Sequence, residues 1–183
     1  MKNKAHNLAK YAFASGEPLL LDANIWLYLF PAPSGYPFVH ASGYSAALKQ
    51  ILAAKALIAM DVLVISEYLN RYSRIEWAAL HKAKYADFKQ FRKSADFGSV
   101  GPQAAAFAKN ILGLCSRYDH PFAAINVGQV LSDFESGAQD TNDGFLIETC
   151  RQHGWKFVTN DGDFTEGGIE VLTNNPKLIA ACP

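Results

Sequence analysis

Short, almost wholly apolar runs alternate along the chain with longer segments in which apolar residues recur at helical spacing. Runs of the first kind, bounded by turn residues or acids, are typical of buried strands, and they occupy 18–21, 56–60, 155–159 and 169–172. The helical spacing predicts amphipathic helices at 40–55, 62–80, 82–93, 103–118, 127–134 and 141–153. The segment 3–15 is helix-permissive and stops at Gly16, so we expect one more helix there.

Proline and glycine residues mark the breaks between these segments. They predict a loop after the helix-forming run 25–30, through Pro31, Pro33, Ser34, Gly35 and Pro37, and an interruption before residue 103, through Gly98, Gly101 and Pro102. Buried strands that alternate with helices predict a parallel sheet wrapped by helices, which is the α/β class. With 183 residues, half of them apolar, we expect one domain over 1–183.

Composition and charge narrow the class of protein but do not identify a partner. Seventeen basic residues balance seventeen acidic ones, so only a local patch could attract a polyanion. Cys115, Cys150 and Cys182 form no CxxC pair, which argues against a disulfide framework and a structural zinc site. Lys10 interrupts any signal-peptide run, and Lys55 with Asp61 breaks the best candidate for a spanning helix. We therefore expect a soluble, cytoplasmic protein with no membrane partner.

Acidic residues follow two of the predicted strands and lie on two of the predicted helices. Asp22 ends the first strand, Glu67 lies on the helix 62–80, Asp143 begins the helix 141–153, and Asp161 and Asp163 follow the strand 155–159. In open α/β sheets the ligand crevice lies outside the carboxyl ends of the strands. Carboxylates from separate elements suit a hard cation such as Mg²⁺ or Mn²⁺, and a cation would relieve their mutual repulsion. The pattern indicates a divalent-metal site.

Each acid also has a purely structural interpretation, which the sequence leaves open. Asp22 is a suitable helix N-cap, and Glu67 precedes Arg71 by four residues, the spacing of a helical ion pair. Asp140 is suited to capping the helix that Asp143 begins. The segment 161–163, Asp-Gly-Asp, has the composition of a turn.

Four motifs together resemble the PIN domain family, in particular the VapC-type toxin ribonucleases of toxin–antitoxin modules. In chain order they are LLLDANIWL, ISEYLNR, QDTNDGFLIETC and KFVTNDGDF. The resemblance implies a Rossmann-like three-layer α/β/α sandwich and a Mg²⁺- or Mn²⁺-dependent endoribonuclease. The chain departs from a compact toxin in two ways: the segment of about 71–120 is an added helical region, and a helix is predicted before the first strand.

The resemblance also implies roles for particular residues. Asp22, Glu67, Asp143 and Asp161 would be the catalytic, metal-binding acids, with Asp163 as the alternative for the fourth place and Asp140 unassigned. Asn24 would support Asp22, and Thr159 would line the site. One or two cations would polarise the scissile phosphate and activate a water molecule. Motifs of competing chemistries, namely a Walker loop, GxGxxG, GxSxG and HExxH, do not occur in the sequence.

Basic residues interleaved with aromatic ones predict where RNA would bind. The segment 71–93 includes Arg71, Arg74, Lys82 and Lys84, which could follow a phosphate backbone while neighbouring rings stack on bases. The alternative interpretation is a solvated basic face over core aromatics. The same segment could hold an antitoxin or form a homodimer.

Two alternatives to the nuclease remain from the sequence. The first is a catalytically weak or inactive PIN-fold module that binds RNA or protein. The second is a phosphohydrolase with Asp22 as nucleophile, although Asn24 stands where such an enzyme needs a second acid.

Overall fold

The computed structural model describes residues 1–35 and 40–182, and within them six strands form one parallel sheet. Its order is β1-β6-β5-β2-β3-β4, and every neighbouring pair runs parallel. The strands are β1 (Lys4–Asn7), β2 (Pro18–Leu21), β3 (Leu57–Met60), β4 (Ser116–Arg117), β5 (Lys156–Val158) and β6 (Glu170–Thr173). All carboxyl ends therefore meet at one edge of the sheet, which we call the carboxyl edge.

Helices connect these strands and cover both faces of the sheet. They are α1 (Ala23–Leu29), α2 (Ala41–Ala53), α3 (Val62–Glu76), α4 (Phe88–Arg92), α5 (Phe97–Leu114), α6 (Val127–Glu135), α7 (Thr141–His153) and α8 (Pro176–Ala181). The chain steps from β2 to β3 to β4 in one direction and returns to β5 through α6 and α7. Because parallel crossovers are right-handed, α1, α2, α3 and α5 cover one face, and α6 and α7 cover the other.

The central strands carry the core because helices cover them on both sides. Leu19, Leu20 and Leu21 of β2 and Phe157 and Val158 of β5 are all buried. The helix contacts follow the same division, with α1 packed on α2 and α3, α3 on α5, and α6 on α7. The predicted α/β class and three-layer parallel architecture are confirmed.

The prediction of a helix at 3–15 is wrong. Residues 4–7 form β1, which pairs in parallel with β6 from Lys4 opposite Glu170 to Asn7 opposite Thr173. A short 3₁₀ turn, Leu8–Lys10, follows, and the Asn7 side chain accepts a hydrogen bond from the Ala9 N–H. Helix propensity is a weak preference that tertiary pairing overrides, and here the pairing partner lies more than 160 residues away.

The boundaries of two helices also differ from prediction in the segment 82–118. Of the predicted helix 82–93 only α4 is present. Asp87 caps it, since its Oδ1 accepts a hydrogen bond of 2.9 Å from the Gln90 N–H. By contrast, α5 starts at Phe97 and contains Gly98, Gly101 and Pro102. The buried face of α5, through Val100, Ala104, Ala108 and Ile111, begins among these residues, so burial of that stripe outweighs their tendency to break a helix. The segment 71–120 also includes β4, and the predicted helix 103–118 ends at Leu114.

The other predicted strands and helices agree with the structure to within a few residues, and two elements, β4 and α8, were not predicted. The predicted helix 62–80 is α3 followed by a π-helical turn, Trp77–His81. The sequence analysis missed α8, although Asn175 before Pro176 is the usual start of a helix. Of the predicted loop 31–37, Ser34 is anchored by Glu76, whose two carboxylate oxygens accept hydrogen bonds from the Ser34 N–H and hydroxyl at 2.8 Å each. Pro37 lies outside the described residues.

No helix in the described part of the chain is long and apolar enough to cross a membrane.

A charged network joins β5 and β6 to the segment before β2 at the opposite edge of the sheet, where the strands begin. Lys156 at the start of β5 donates to Tyr11 Oη at 2.5 Å and to Glu17 Oε1 at 2.6 Å, and its Nζ lies 3.0 Å from Glu170 Oε2. These hydrogen bonds raise the pKa of Lys156 against the opposing effect of burial. The network holds the segment before β2 against β5 and β6.

We expect Lys156→Met to lower the free energy of unfolding by about 2 kcal/mol, because it leaves the mostly buried Glu17 carboxylate without its cation. Urea denaturation monitored by circular dichroism measures this. Lys109→Met, which removes an exposed lysine from α5, is the control and is expected to change the value little. Equal effects of the two substitutions would contradict a stabilising role for the network.

Candidate active site

Asp22 occupies the carboxyl edge at the centre of the sheet, between the end of β2 and the start of α1. It is the N-cap of α1, with Oδ1 3.5 Å from the Asn24 N–H, and only 7% of the residue is exposed. The structural interpretation of Asp22 as a helix cap is therefore correct. That interpretation does not exclude a site, because the cap uses one carboxylate oxygen.

The second oxygen of Asp22 is held by the two predicted supporting residues. Oδ2 accepts hydrogen bonds of 2.6 Å from Asn24 Nδ2 and of 2.6 Å from Thr159 Oγ1. Asn24 Nδ2 also donates to Thr159 Oγ1 at 3.1 Å. Thr159 follows β5, which neighbours β2 in the sheet, so this triangle of polar groups joins the ends of two adjacent strands and fixes the Asp22 carboxylate.

Burial raises the pKa of Asp22 to about 6, and the negative charge of Glu67 acts in the same direction. The hydrogen bond from Thr159 and the positive charge of Arg71 oppose the rise. The carboxylate is thus stabilised by its hydrogen bonds but lacks a full counter-charge.

Asp143 lies in the first turn of α7, which Asp140 caps by accepting a hydrogen bond of 2.9 Å from the Asn142 N–H. The pKa of Asp143 is raised to about 7, first by burial and then by the charges of Asp22, Asp161, Asp140 and Glu67. Asp140 belongs to the same helix, whereas Asp22, Glu67 and Asp161 come from three other segments of the chain. They therefore lie close enough at the carboxyl edge for each to disfavour ionisation of Asp143.

Asp161 is oriented by the same threonine that holds Asp22. Its N–H donates to Thr159 Oγ1 at 3.1 Å, and its Oδ1 accepts from the Asp163 N–H at 2.9 Å. The predicted turn over 161–163 is therefore present. Both acids are exposed, and Asp161 is the one in contact with the Thr159 and Asp22 network.

Glu67 lies on α3 and forms the ion pair with Arg71 that their spacing predicts, at 2.9 Å between Oε1 and Nη1. Its side chain is 23% exposed. Because its charge also affects Asp22 and Asp143, Glu67 combines the helical ion pair with a place beside the other acids.

The donor chemistry of these residues suits a hard divalent cation, since it consists of carboxylates with a hydroxyl and an amide between them. Yet among residues 1–35 and 40–182, no group of three or more His, Cys, Asp or Glu side chains is arranged to hold a metal ion. The acids influence one another electrostatically but do not form a ready-made ligand set. The assignment of Asp22, Glu67, Asp143 and Asp161, with Asp163 as the alternative, stays a prediction.

The predicted RNA-binding residues mostly contact the protein itself. Arg71 pairs with Glu67, the Arg74 guanidinium lies 4.6 Å from the centre of the Phe88 ring, and Lys84 pairs with Asp96 at 2.7 Å. Lys82 is exposed. Tyr72 and Phe91, two of the aromatic residues among them, are completely buried, so these two belong to the core.

The sequence analysis missed a second strand-end acid, Asp61, which caps α3 through the Leu63 N–H at 2.8 Å. Its other oxygen, Oδ2, lies 2.8 Å from His120 Nδ1, and the residue is fully buried. The signal was present, because an apolar run, an aspartate and a helix follow one another at Asp61 as they do at Asp22. By contrast, no sequence pattern indicates that His120, which precedes Pro121, would be the partner of Asp61.

The fold and this edge define an α/β protein with a parallel sheet that gathers acids where its central strands end. Comparison with family models narrows that class, because the model of the PIN domain matches residues 19–170. The chain belongs to the PIN domain family. A search of curated protein sequences found no match.

Solved structures resemble the chain at low sequence identity. VapBC2 from Rickettsia felis, solved bound to a DNA fragment from their promoter, is 17% identical with a TM-score of 0.53; the match covers 85% of this chain and 98% of that one. FitAcB from Neisseria gonorrhoeae is 20% identical with a TM-score of 0.43, over 84% of this chain and 96% of that one. PAE2754 from Pyrobaculum aerophilum is 18% identical with a TM-score of 0.44, over 84% and 90%.

Proposed function

We propose that the protein is a divalent-metal-dependent endoribonuclease whose site is the acidic carboxyl edge. The observation that carries the proposal is the meeting of acids at the carboxyl edge, where Asp22 and the Asp161 N–H both bond to Thr159 Oγ1. Burial of Asp143, together with the charges of the neighbouring acids, raises the pKa of Asp143 to about 7. Uncompensated carboxylates at a strand edge are costly for folding and are characteristic of sites that bind a cation. Membership of the PIN domain family supports a nuclease.

In this proposal Asp22, Glu67, Asp143 and Asp161 hold Mg²⁺ or Mn²⁺, with Asp163 as the alternative to Asp161. The bound ion supplies polarisation of the scissile phosphate and a water molecule of lowered pKa. Thr159 and Asn24 keep the Asp22 carboxylate in one orientation through their hydrogen bonds. Asp143, in the first turn of α7, would hold the cation as an ionised carboxylate, with its proton released to solvent. Arg71, beside Glu67, offers a positive charge to the phosphate backbone of the RNA. Arg74, Lys82 and Lys84 extend this positively charged surface.

The biological setting we propose is that of a VapC-type toxin with a cognate antitoxin, acting on RNA in the cytoplasm. The four sequence motifs and the fold shared with Rickettsia felis VapBC2 support this setting. The three cysteines are free, as in a reducing compartment. We also propose that the protein forms a homodimer.

We expect the purified protein to cleave single-stranded RNA in Mg²⁺ or Mn²⁺ and to lose all cleavage in EDTA. The physical reason is that the clustered acids repel a phosphate unless a cation lies between them. End-labelled RNA resolved on a denaturing gel measures it, and restoring Mn²⁺ to the chelated sample is the control. Cleavage that persists in EDTA would contradict the proposal.

A binding module with the same fold is the second candidate, because no metal-holding group of three side chains is found in the described residues. This candidate predicts that the protein binds RNA or protein but cleaves no RNA in the presence of Mg²⁺ or Mn²⁺. A gel-shift assay run on the same samples separates the two candidates.

A further inference from the structure

Asn160 lies between Thr159 and Asp161, and each of its four polar groups is hydrogen-bonded. Its N–H donates to Asn24 Oδ1 at 3.3 Å, and its carbonyl accepts from Asn175 Nδ2 at 2.8 Å. Its side-chain Oδ1 accepts from the Tyr44 hydroxyl at 2.8 Å, and its Nδ2 donates to the Tyr28 hydroxyl at 3.1 Å. We call these five residues the Asn160 clamp.

The clamp collects its groups from three helices around the end of β5. Asn24 and Tyr28 belong to α1, Tyr44 belongs to α2, and Asn175 is the N-cap of α8 after β6. The rings of Tyr28 and Tyr44 are stacked, with centres 5.4 Å apart and planes at 7°, and Tyr44 is 2% exposed. Stacking of the two rings and burial of Tyr44 hold the two hydroxyls against the Asn160 amide.

One neighbour of Asn160 in the chain, Thr159, bonds to Asp22, and the other, Asp161, bonds to Thr159. Thr159 Oγ1 donates to Asp22 and accepts from the Asp161 N–H, so the peptide 159–161 connects both acids. The Tyr44 hydroxyl also lies 3.4 Å from the Thr159 carbonyl and accepts from the Asn174 N–H at 3.3 Å. A shift of Asn160 would therefore move Thr159 and Asp161 together relative to Asp22.

We propose that Asn160 is a positioning residue, held by Tyr28 and Tyr44, which sets the Asp161 carboxylate against Asp22 for cation binding. This inference rests on the proposed metal-dependent function. A purely structural cluster would tie α1, α2 and α8 to the sheet without regard to the site. The clamp does more, because peptide bonds join Asn160 to Thr159 and Asp161, whose hydroxyl and carboxylate belong to the candidate site. Groups that orient metal ligands from behind typically contribute 10- to 100-fold to affinity or activity.

Tyr44→Phe is the sharpest test, since it keeps the ring and its stacking but removes the hydroxyl. We expect it to weaken Mn²⁺ binding about tenfold and to lower kcat for RNA cleavage by a similar factor with little change in KM. Calorimetric titration with Mn²⁺ and steady-state kinetics measure these effects. Asn160→Ala is expected to do the same, because it removes the amide that both hydroxyls hold.

Tyr11→Phe is the matched control, because the Tyr11 hydroxyl bonds to Glu17 and Lys156 at the opposite edge of the sheet. It removes a tyrosine hydroxyl from a hydrogen-bonded network and is expected to lower stability while leaving Mn²⁺ affinity unchanged. Equal Mn²⁺ affinities in Tyr44→Phe and Tyr11→Phe would overturn the positioning role.

A readout independent of metal and activity separates this inference from the proposed function. The Asp161 N–H is bonded to Thr159 Oγ1, so amide hydrogen exchange in the metal-free protein reports the clamp directly. We expect Tyr44→Phe to raise the exchange rate at Asp161 selectively, with core amides of β2 unchanged. An unchanged rate at Asp161 overturns the clamp even if the wild type cleaves RNA, whereas a wild type that neither binds Mn²⁺ nor cleaves RNA overturns the proposed function and leaves the exchange result standing.

Discussion

Asp22→Asn is expected to abolish RNA cleavage, with a loss on the order of 10³-fold or more. The substitution removes the charge at the centre of the carboxyl edge but keeps the size of the side chain. Its single amide oxygen can still accept from Thr159 Oγ1, the group that now lies 2.6 Å from Asp22 Oδ2, and the contact given up is the long one of 3.5 Å between Oδ1 and the Asn24 N–H. The variant should therefore fold, and the loss can be read as chemistry.

Initial rates in saturating Mn²⁺ measure the effect, with thermal unfolding of each sample as the check on folding. Glu170→Gln is the control, because it neutralises an acid that pairs with Lys156 where β6 begins, at the opposite edge. It is expected to retain cleavage. Undiminished cleavage by Asp22→Asn would remove Asp22 from the site and with it the proposed arrangement of acids.

Asp143→Asn is expected to stabilise the metal-free protein at pH 8 by about 2 kcal/mol, roughly half of what a shift of three pKa units would give in full. In the folded protein the pKa of Asp143 is about 7, compared with the ordinary value of 3.8. Between these values the unfolded chain is ionised while the folded chain keeps its proton, so stability falls as pH rises from about 4 to 7. An asparagine has no proton to lose and avoids that penalty.

Urea denaturation at pH 5 and pH 8 in EDTA measures the difference. In EDTA, the free energy of unfolding of Asp143→Asn should exceed that of the wild type by more at pH 8 than at pH 5. Saturating Mn²⁺ at pH 8 should stabilise the wild type alone, so that the wild type becomes the more stable of the two. Glu166→Gln, an exposed acid beside the N-terminal amine, controls for the loss of one charge. A pH-independent difference between wild type and Asp143→Asn would contradict the raised pKa.

The parts of the fold that could be predicted are those whose signals are local. The apolar run of β2 followed by Asp22, and Asp140 three residues before Asp143, each specify an element and its start within a few positions. β1 could not be found in this way, because its identity as a strand depends on pairing with β6. The start of α5 was misplaced because Gly98, Gly101 and Pro102 break isolated helices, whereas here their helix buries an apolar stripe.

The candidate site shows the same division between local and distant information. Asp22, Glu67, Asp143 and Asp161 could be selected from motifs, and Asn24 and Thr159 came with them. The Asn160 clamp could not be predicted, because its hydroxyls come from two helices more than 100 residues earlier in the chain and nothing in their own segments marks them. A polar residue with partners on several elements becomes visible only in three dimensions.

The long separation between Asp22 and Thr159 has a consequence for synthesis on the ribosome. The two residues are 137 positions apart, so at about 5–20 residues per second the threonine that orients the aspartate emerges on the order of ten seconds later. β2 meanwhile lacks β5 as a neighbour, and Asp143 and Asp161 have not been made when Asp22 leaves the ribosome. The nascent chain therefore carries no assembled acidic edge until the segment after β5 has been made, and the proposed activity cannot begin before that point of translation.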